Sequence, residues 1–475
     1  MNGPIRRVVY GLFVGIALLL VATTYIQAIA STRYRTDPAN SRVLIAENSK
    51  ERGSIVDRNG SLLATSEESS ATRRTFTRKY PLGSLTAHPI GYSTVLFGER
   101  GIEEAYSSEL RSRQDLSISD ILIALFGGDL RPQSLRVTLD APLQEAAADA
   151  LGERPGTIVA LDPNTGAVLA WVVQPSYEPA RITDPAYAGE LESDPTSPLL
   201  DRARSALYPP ASTFKLIVAA EALESGLVDA SSLLPDSASL QLPQTDTVLR
   251  NAGGTVCANG GEISLAMAIA RSCNVPFAAL ALQMEPSAVQ ERAELLGFNA
   301  ELPFDLDTVA SMVPDHSDDP AARAQSAIGE RSVRATPLQM ALVAATIANA
   351  GEVPAPYLVD AVFDGDGNAV ETATPATLGR AMSTSTAAYL TEAMVLAVEE
   401  GTATRAGVSG IRIAGKTGTS EAGTNPPVWF VGFAPADDPT IAIAILVEGG
   451  GVDGSGGSIA APMAREVFRH WLLGE

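Results

Sequence analysis

The feature that most constrains this chain is an uncharged, mostly apolar segment at its N-terminus. This segment spans residues 8–32 and follows Arg6 and Arg7. At about 1.5 Å of rise per residue, a helix of this length crosses a hydrocarbon core of about 30 Å. Arginines ahead of the segment favour an N-terminus inside the cell, with everything after the segment outside. We therefore predict a cytoplasmic tail over residues 1–7 and a transmembrane anchor over residues 8–30.

Cleavage of this segment as a secretory signal is the alternative to a retained anchor. The run Ala28-Ile-Ala30 ahead of Ser31 resembles a signal-peptidase site. The apolar run is long for a cleaved signal, so we favour a single-pass membrane protein that keeps its anchor. Either outcome leaves the remaining chain in an extracytoplasmic compartment.

Length, charge and histidine content narrow the classes of function. The chain has 475 residues and is 45% hydrophobic, which is enough for two or more domains. Its formal net charge is −21 with only 34 Lys+Arg, so it lacks the basic balance of a nucleic-acid binder, and we expect no such partner. The three histidines, His88, His316 and His470, lie far apart in the sequence. Three scattered histidines do not favour a histidine-based catalytic triad or metal site, so we expect no metal and no cofactor.

Cys257 and Cys273 are the only cysteines. Outside the cytoplasm, two cysteines so close together favour a disulfide. Closing a loop near 15 residues is worth about 3 kcal/mol in the chain-entropy model. Two buried free thiols are the alternative, which a gel shift on reduction would distinguish.

Two zones follow the anchor. The first, residues 31–134, contains Arg52–Gly60 followed by Ser61–Ala64, which predict a strand, an Asn-Gly turn and a second strand. It shows no cluster of catalytic residue types. The second zone, residues 135–475, contains all of the candidate catalytic segments.

The second zone mixes helices with strands. Its predicted helices cover residues 141–151, 212–225, 262–300, 336–350 and 461–473. Its predicted strands are a hairpin over 156–162 and 167–173, and three later strands over 411–415, 428–433 and 441–447. Residues 174–205 are rich in Pro, Ser and Asp and predict a long loop. Helices between antiparallel strands indicate an α+β domain.

Ser212 and Lys215 are the strongest candidates for chemistry. Three residues apart, they share one helix face if the helix begins near Ser212. Pro209-Pro210 cannot continue a helix backwards, so the serine lies at a helix N-terminus, which favours an anion. An attacking serine needs a base and an oxyanion site, and Lys215 can be that base if burial or a second cation lowers its pKa. Taken alone, Ser-x-x-Lys is more often a capping serine beside a solvated lysine.

Two further polar segments support a catalytic role. Arg271–Phe277 breaks a helical pattern with Ser272 and Asn274, whose hydroxyl and amide can relay a proton and bind a substrate amide. Ala414–Ser420 places Lys416 among glycines and hydroxyls at a strand edge, where it suits a substrate carboxylate. Each segment alone is more often an ordinary turn or an exposed strand end.

Gly410–Thr417 also fits the phosphate-loop pattern G-x-x-x-x-G-K-T. That loop needs a strand before it and a helix after it. Here the four spacer residues alternate like a strand, and Gly418, Gly423 and Pro426 preclude a long helix directly afterwards. An extracytoplasmic segment is also remote from nucleotide pools. We therefore reject an NTPase.

Taken together, Ser-x-x-Lys, Ser-x-Asn and Lys-Thr-Gly resemble the signature of penicillin-binding proteins and serine β-lactamases. The motifs begin at Ser212, Ser272 and Lys416, and their spacings resemble the family's transpeptidase domain. The Arg52–Gly60 run resembles the entry to the family's N-terminal pedestal domain. The segment between anchor and catalytic domain is too short for a glycosyltransferase domain. The chain therefore resembles class B, monofunctional members, most of all the actinobacterial penicillin-binding protein A group.

The resemblance implies a fold and a function. Residues 135–475 would form a β-lactamase-like transpeptidase domain, an antiparallel sheet flanked by helices, on a smaller, dimerisation-like pedestal over residues 31–134. The activity would be that of a peptidoglycan D,D-transpeptidase, which β-lactams inhibit and which serves cell division or cell-wall growth. Partners would be D-Ala-D-Ala stem peptides, β-lactam antibiotics, the cytoplasmic membrane, and division or elongation proteins.

The resemblance also implies a catalytic set. Ser212 is the nucleophile and Lys215 its general base. Ser272, assisted by Lys416, relays a proton to the leaving amine, and Asn274 binds the acyl-side amide.

A substrate-binding set follows from the third motif in the same way. Thr417, Gly418 and Thr419 form it, and the two threonines receive the terminal carboxylate. The backbone N–H groups of Ser212 and Thr419 form the oxyanion hole. Ala211 departs from the family pattern, which usually has glycine there, without removing a catalytic group.

Three rival functions share these motifs. A D,D-carboxypeptidase uses water as acceptor, and nothing in the sequence separates it from a transpeptidase. A β-lactamase needs fast deacylation, whereas we find no assignable hydrolytic base. A non-enzymatic β-lactam sensor or division scaffold would be expected to lose Ser212 or Lys215, and both are present.

Overall fold

A computed structural model describes residues 3–29, 50–69, 75–111, 131–421 and 423–475. The chain begins with an α-helix over Gly3–Thr24 that continues as a π-helix over Tyr25–Ile29. The helical segment over residues 3–27 is long enough and apolar enough to cross a membrane. Its mean hydropathy is 2.1, and its apolar stretch is not buried against the rest of the described chain. The helix covers most of the predicted anchor. The candidate cleavage site before Ser31 lies outside the described residues.

A six-stranded sheet joins the pedestal region to the second zone. Its strands, in spatial order, are Ala369–Thr372, Val359–Phe363, Ser134–Val137, Ile55–Val56, Leu62–Ser69 and Thr75–Lys79. The predicted strand, turn and strand after Arg52 are confirmed, because Ile55 pairs with Ala64 in an antiparallel hairpin. Two strands of this sheet come from far inside the second zone, so residues on both sides of the predicted boundary at residue 134 build one sheet.

Asp57 connects that hairpin to the second zone. Its fully buried carboxylate accepts backbone N–H bonds from Asn59 and Ser61 at 2.9 and 2.7 Å. The other carboxylate oxygen accepts the N–H of Ala141 at 3.1 Å, at the start of the Ala141–Leu151 helix. These N–H groups have no partner within a helix or strand, so the carboxylate satisfies donors of both regions at once.

A five-stranded antiparallel sheet forms the centre of the second zone. Its strands, in spatial order, are Ala414–Thr419, Val428–Ala434, Ile441–Val447, Gly156–Leu161 and Val168–Gln174. The predicted strands are confirmed, but the edge strand begins at Ala414 rather than at Ile411. Residues 414–419 pair with residues 428–433 across the whole segment, whereas Ile411 only closes a local bridge with Val408.

Helices cover both faces of this sheet. Ile158 and Ala160 face one core, which the helices Ala141–Leu151 and Ala460–Leu473 complete. Val159 on the same strand faces the opposite core, which holds the central helices. Because both faces are buried, the three inner strands are almost entirely apolar rather than alternating.

The main helices of that opposite core follow the predicted pattern in part. Pro337–Ala348 is confirmed, and Thr336 accepts the N–H of Gln339 at 3.1 Å as its cap. The helix Thr384–Glu399 has no counterpart among the predictions. The predicted helical stretch 262–300 is instead one strand and three helices, Gly261–Ser264, Leu265–Ala270, Val275–Gln283 and Ala288–Leu295.

The prediction of a long loop over residues 174–205 was wrong. Short helices interrupt it at Pro179–Arg181, Pro185–Ser193 and Arg202–Ser205. The Asp184 carboxylate accepts the N–H of Ala186 at 3.0 Å and caps one of them. Asp followed by Pro, which we took as loop composition, is also a helix-start signal.

Smaller elements complete the fold. The remaining strands are Tyr92–Thr94, Gly98–Arg100, Leu233–Asp236, Ser239–Gln241, Val248–Arg250, Glu352–Pro354 and Thr377–Arg380. The remaining helices and helical turns are Gly83–Thr86, Ala87–Ile90, Ile102–Ala105, Ser107–Leu110, Ala211–Phe214, Lys215–Glu224, Ala252–Gly254, Pro320–Ser326, Thr404–Ala406 and Gly450–Asp453.

Candidate active site

Ser212 lies on a tight turn rather than on the first turn of an α-helix. Ala211–Phe214 form a 3₁₀ turn, and the α-helix begins at Lys215. Ala211 has φ of +50°, in the left-handed region that favours glycine, and its N–H donates to the Gly329 carbonyl at 3.0 Å. The turn therefore holds Ser212 in a sharply bent backbone, and the lysine still lies one turn away.

Lys215 is fully buried and directs its amine at the serine. Its Nζ lies 3.0 Å from Ser212 Oγ, 2.7 Å from the Ser272 carbonyl oxygen and 2.7 Å from Asn274 Oδ1. The last two atoms only accept hydrogen bonds, so they take two N–H donors of the amine. In the neutral form the remaining lone pair then faces the serine hydroxyl, as a general base requires.

Burial and a second lysine favour that neutral form. Burial lowers the pKa of Lys215 well below its ordinary value, and the nearby charge of Lys416 lowers it further, while Glu421 and Glu330 oppose the shift. Lys416 is also fully buried, and burial lowers its pKa to about 7. A charged amine on Lys416 therefore disfavours a second positive charge on Lys215.

The second motif lies between the two lysines. Lys416 Nζ is 2.8 Å from Ser272 Oγ, and Ser272 has φ of +62°. The Asn274 amide links Lys215 to the backbone of residue 250, because its Oδ1 accepts from Lys215 and its Nδ2 donates to the Arg250 carbonyl at 2.9 Å. The structure thus brings together Ser212 and all four of the other residues predicted as catalytic.

Asn251 supports this second motif, and sequence analysis missed it. Its Oδ1 accepts the N–H groups of Asn274 and Val275 at 2.9 and 3.0 Å. Its Nδ2 donates to the carbonyls of Ser237 and Thr255. This buried amide fixes the backbone on which the second motif lies. The only sequence signal is an Asn-Ala-Gly-Gly turn, which has no chemical signature of its own.

The third motif forms the opposite wall. Thr417 Oγ1 lies 2.6 Å from Thr402 Oγ1, and Thr419 Oγ1 accepts the N–H of Gly456 at 3.0 Å. Gly418 lies between them, and a Cβ there would be 3.1 Å from the Pro210 carbonyl oxygen. The strand Ala414–Thr419 can closely approach the turn Ala211–Phe214, which we call the nucleophile turn, because position 418 has no side chain.

A cavity of about 310 Å³ opens onto these groups. Its lining includes Ser212, Ser272, Asn274, Thr417, Thr419 and Glu330. Gly418 contacts the nucleophile turn but is not among the lining residues. The cavity presents a nucleophile with several hydroxyl and amide groups, and the buried Lys215 amine reaches the nucleophile from behind the cavity wall. This set is suited to acyl transfer through a serine ester.

The structure also bears on the phosphate-loop pattern and on metal binding. Residues 414–419 form a β-strand, so Lys416 and Thr417 do not begin a helix as that motif requires. Among the described residues, no group of three or more His, Cys, Asp or Glu side chains could hold a metal ion.

Cys257 and Cys273 are joined in a disulfide, with Cα atoms 6.0 Å apart. Cys273 lies between Ser272 and Asn274, so the bond ties the second motif to the preceding loop. Arg271 donates to the Cys257 carbonyl at 2.8 Å and closes the same connection.

Reduction of this disulfide is expected to destabilise the protein by about 3 kcal/mol, because the bond closes a loop with a sequence separation of 16. Thermal melts of the native protein with and without reductant would measure the loss. A Cys257→Ser/Cys273→Ser variant should melt at the same temperature in both conditions. A wild-type melt unaffected by reductant, or free thiols in the unreduced chain, would contradict the prediction.

Comparisons with known proteins match both the pedestal region and the catalytic region of the chain. The family model described as "Penicillin binding protein transpeptidase domain" matches residues 156–469, and the model described as "Penicillin binding protein A dimerisation domain" matches residues 52–134. The chain is 38% identical to peptidoglycan D,D-transpeptidase PbpA of Mycolicibacterium smegmatis over 98% of both chains. It is 35% identical to the protein of that name from Mycobacterium tuberculosis over the full length of both.

Solved structures of penicillin-binding proteins superpose on most of the chain. The ceftriaxone acyl-enzyme complex of penicillin-binding protein A from M. tuberculosis superposes with a TM-score of 0.84 at 34% identity, covering 90% of this chain and 100% of that one. Its penicillin G acyl-enzyme complex gives 0.82 at 34% identity, covering 89% and 100%. Both the sequence matches and the superpositions extend over the pedestal region and the catalytic region, and the chain therefore belongs to the penicillin-binding protein transpeptidase family, as a class B member.

Proposed function

We propose that this protein is a peptidoglycan D,D-transpeptidase that cross-links stem peptides through an acyl-enzyme on Ser212. The observation that carries the proposal is the fully buried Lys215 amine, 3.0 Å from Ser212 Oγ, with both of its other hydrogen bonds directed to acceptors. The relatives in M. smegmatis and M. tuberculosis are named as peptidoglycan D,D-transpeptidases, which supports the same activity.

Acylation begins with proton transfer from the Ser212 hydroxyl to Lys215 Nζ. The serine oxygen then bonds to the carbonyl carbon of the penultimate D-Ala, and the carbonyl oxygen becomes an oxyanion. The N–H groups of Ser212 and Thr419 are the donors that we assign to that oxyanion. When the tetrahedral intermediate collapses, the C–N bond to the terminal D-Ala breaks and its nitrogen needs a proton.

Ser272 delivers this proton. Its hydroxyl lies 2.8 Å from Lys416 Nζ, so it can give its proton to the leaving amine and regain one from the lysine. Asn274 binds the amide on the acyl side, and the hydroxyls of Thr417 and Thr419 receive the terminal carboxylate. An amine of a neighbouring peptidoglycan strand then attacks the ester carbonyl and gives up a proton through Ser272 to Lys416. The ester C–O bond breaks, Lys215 returns its proton to the Ser212 oxygen, and the new amide is the cross-link.

The same arrangement accounts for trapping by β-lactams. Their strained amide presents a carbonyl to Ser212 in place of the D-Ala-D-Ala bond, and ring opening keeps the leaving nitrogen attached. The tethered leaving group blocks the acceptor amine, so the ester persists. The β-lactam acyl-enzyme complexes of the M. tuberculosis relative support this behaviour.

The N-terminal helix supports a location in the cytoplasmic membrane. The apolar helix anchors the protein as a single pass in the cytoplasmic membrane, Arg6 and Arg7 keep its N-terminus inside, and the catalytic cavity faces the cell wall. Proteins of cell division or of cell-wall elongation are the partners that we expect beside it, since cross-linking must accompany strand synthesis.

The test is covalent labelling of the full chain purified in detergent. Incubation with penicillin G is expected to add one penicilloyl group, which intact mass spectrometry detects and peptide mapping assigns to Ser212. The Ser212→Ala variant should remain unlabelled. An unlabelled wild-type protein, or a label elsewhere, would overturn the proposal, and rapid loss of the label would instead indicate a β-lactamase.

A further inference from the structure

Glu330 connects the two sides of the catalytic cavity and takes no part in the proton transfers of Ser212, Ser272 and the two lysines. Its side chain lines the same cavity as Ser212 and is half-buried. Glu330 follows Gly329, which contacts the nucleophile turn, and its carboxylate reaches the end of the third-motif strand. The contacts on each side are direct hydrogen bonds.

On the nucleophile side, the contact is made by the backbone. The Gly329 carbonyl accepts the N–H of Ala211, the residue directly before Ser212, at 3.0 Å. A Cβ at Gly329 would lie 2.0 Å from the Ala211 carbonyl oxygen, and Gly329 has φ of +75°. Only glycine allows this approach, so the two backbones are held against each other.

On the strand side, the contact is made by the carboxylate. Glu330 Oε2 accepts the hydroxyl of Ser420 at 3.2 Å, and Oε1 accepts the backbone N–H of Glu421 at 3.1 Å. These two residues directly follow Thr419. The side chain of Glu330 is half-buried, and this burial raises the pKa of the carboxyl. Hydrogen bonds that are partly shielded from water in this way are stronger.

The supporting backbone is itself anchored. The Gly329 N–H donates to the Ser326 carbonyl at 2.9 Å, at the end of the helix Pro320–Ser326. The segment 329–330 is therefore a fixed bridge from residue 211 to residues 420 and 421. Each end lies next to one of the two N–H donors assigned to the oxyanion, those of Ser212 and Thr419.

We propose that Glu330 is a positioning residue that sets the separation of the two oxyanion-hole donors. This inference rests on the proposed function. Without the carboxylate, the neighbouring strand still holds the end of the third-motif strand, through the pairing of Thr419 with Val428 and the Ser420 N–H to the Pro427 carbonyl. The link through Glu330 to the nucleophile turn is lost, and the Thr419 N–H shifts relative to the developing oxyanion. Because oxyanion stabilisation acts mainly in the transition state, the loss affects the covalent step more than initial binding.

Glutamine is the informative substitution. Its amide oxygen can still accept the Glu421 N–H, and its NH₂ can donate to the Ser420 hydroxyl, which is able to accept as well as donate. Glu330→Gln therefore keeps both hydrogen bonds without the charge, whereas Glu330→Ala removes both. Rescue by glutamine separates positioning from a role that needs the negative charge.

The experiment is stopped-flow acylation of the full chain by penicillin G over a range of concentrations, which separates the dissociation constant from the rate of the covalent step. Glu330→Ala should slow the covalent step about tenfold or more, since loss of one oxyanion donor costs roughly 10²–10³-fold. Its dissociation constant should stay within about threefold, because ground-state binding is little affected. Glu330→Gln should stay within about threefold of wild type in both constants, because it restores the bonds.

The matched control is Glu190→Ala, an exposed glutamate that does not line the cavity, which should leave both constants unchanged. The final extent of labelling, taken by intact mass, corrects each rate for any unfolded fraction. A covalent step of wild-type speed in Glu330→Ala, or an equal loss in Glu330→Gln, would overturn the positioning role. An unlabelled wild-type protein would instead refute the proposed function.

Discussion

Replacing Lys215 by methionine is expected to slow acylation by penicillin about 10³-fold, within the roughly 10²–10⁴-fold that general acid–base catalysis contributes. Among the residues that the structure describes, the Lys215 amine is the one side-chain group seen in a hydrogen bond with Ser212 Oγ. Methionine has a similar volume and no lone pair basic enough to take the proton. The rate constant for acylation of the full chain by penicillin G measures the effect.

Stability should change much less than activity in this variant. The carbonyl of Ser272 and Oδ1 of Asn274 lose a donor, which is unfavourable, while the cost of burying an amine disappears. These effects oppose each other, so the melting temperature should stay close to that of the wild type. Lys79→Met, an exposed lysine in the pedestal, is the matched control. A folded Lys215→Met protein that acylates within tenfold of wild type would show that another group takes the proton.

Replacing Lys416 by methionine is expected to move the acidic limb of the acylation pH profile to higher pH. Lys215 must be neutral to act as a base, so its pKa sets that limb. The charge of Lys416 lowers this pKa, second only to burial. Since the pKa of Lys416 is about 7, Lys416 carries its charge in the acidic range where Lys215 would otherwise take up a proton.

Loss of that charge raises the pKa of Lys215, and the limb should shift by about one pH unit, the lower end of what a nearby charge produces. The maximal rate should also fall roughly 10²-fold, because Ser272 loses the lysine that reprotonates it. Rates of acylation between pH 4.5 and 9 measure both effects. A limb that stays in place or moves to lower pH would contradict the assigned coupling, and Lys79→Met should leave the profile unchanged.

Local signals explain which elements could be predicted. The helix Pro337–Ala348 has a capping threonine, a proline at its first position and an apolar run, and all of these act within a few residues. The helix Thr384–Glu399 carries a comparable cap at Ser383, which accepts the N–H of Thr386, yet sequence analysis assigns nothing there. Its signal is present in the sequence, and this omission has no tertiary cause.

Other departures have a tertiary origin. The edge strand Ala414–Thr419 extends beyond its apolar residues because it pairs with the neighbouring strand Val428–Ala434 as far as Thr419. No hydrophobic pattern marks that extension. The strands Val359–Phe363 and Ala369–Thr372 join a sheet with the pedestal, more than two hundred residues away in sequence. Pairing over such a distance depends on the whole chain and not on local composition.

The sequence by itself determined the residue types of the chemistry: a serine and a lysine one turn apart, a hydroxyl and an amide in a second segment, and a lysine among hydroxyls in a third. Only the tertiary structure decided how these residues act. It buries both lysines completely and thereby lowers their pKa values, and it directs the Lys215 amine at Ser212. It also places Asn251 against the backbone of the second motif, and Glu330 between the nucleophile turn and the end of the third-motif strand. The reason is physical: desolvation and hydrogen-bond geometry arise from neighbours that are distant in sequence, whereas a motif records only residue types and their spacing.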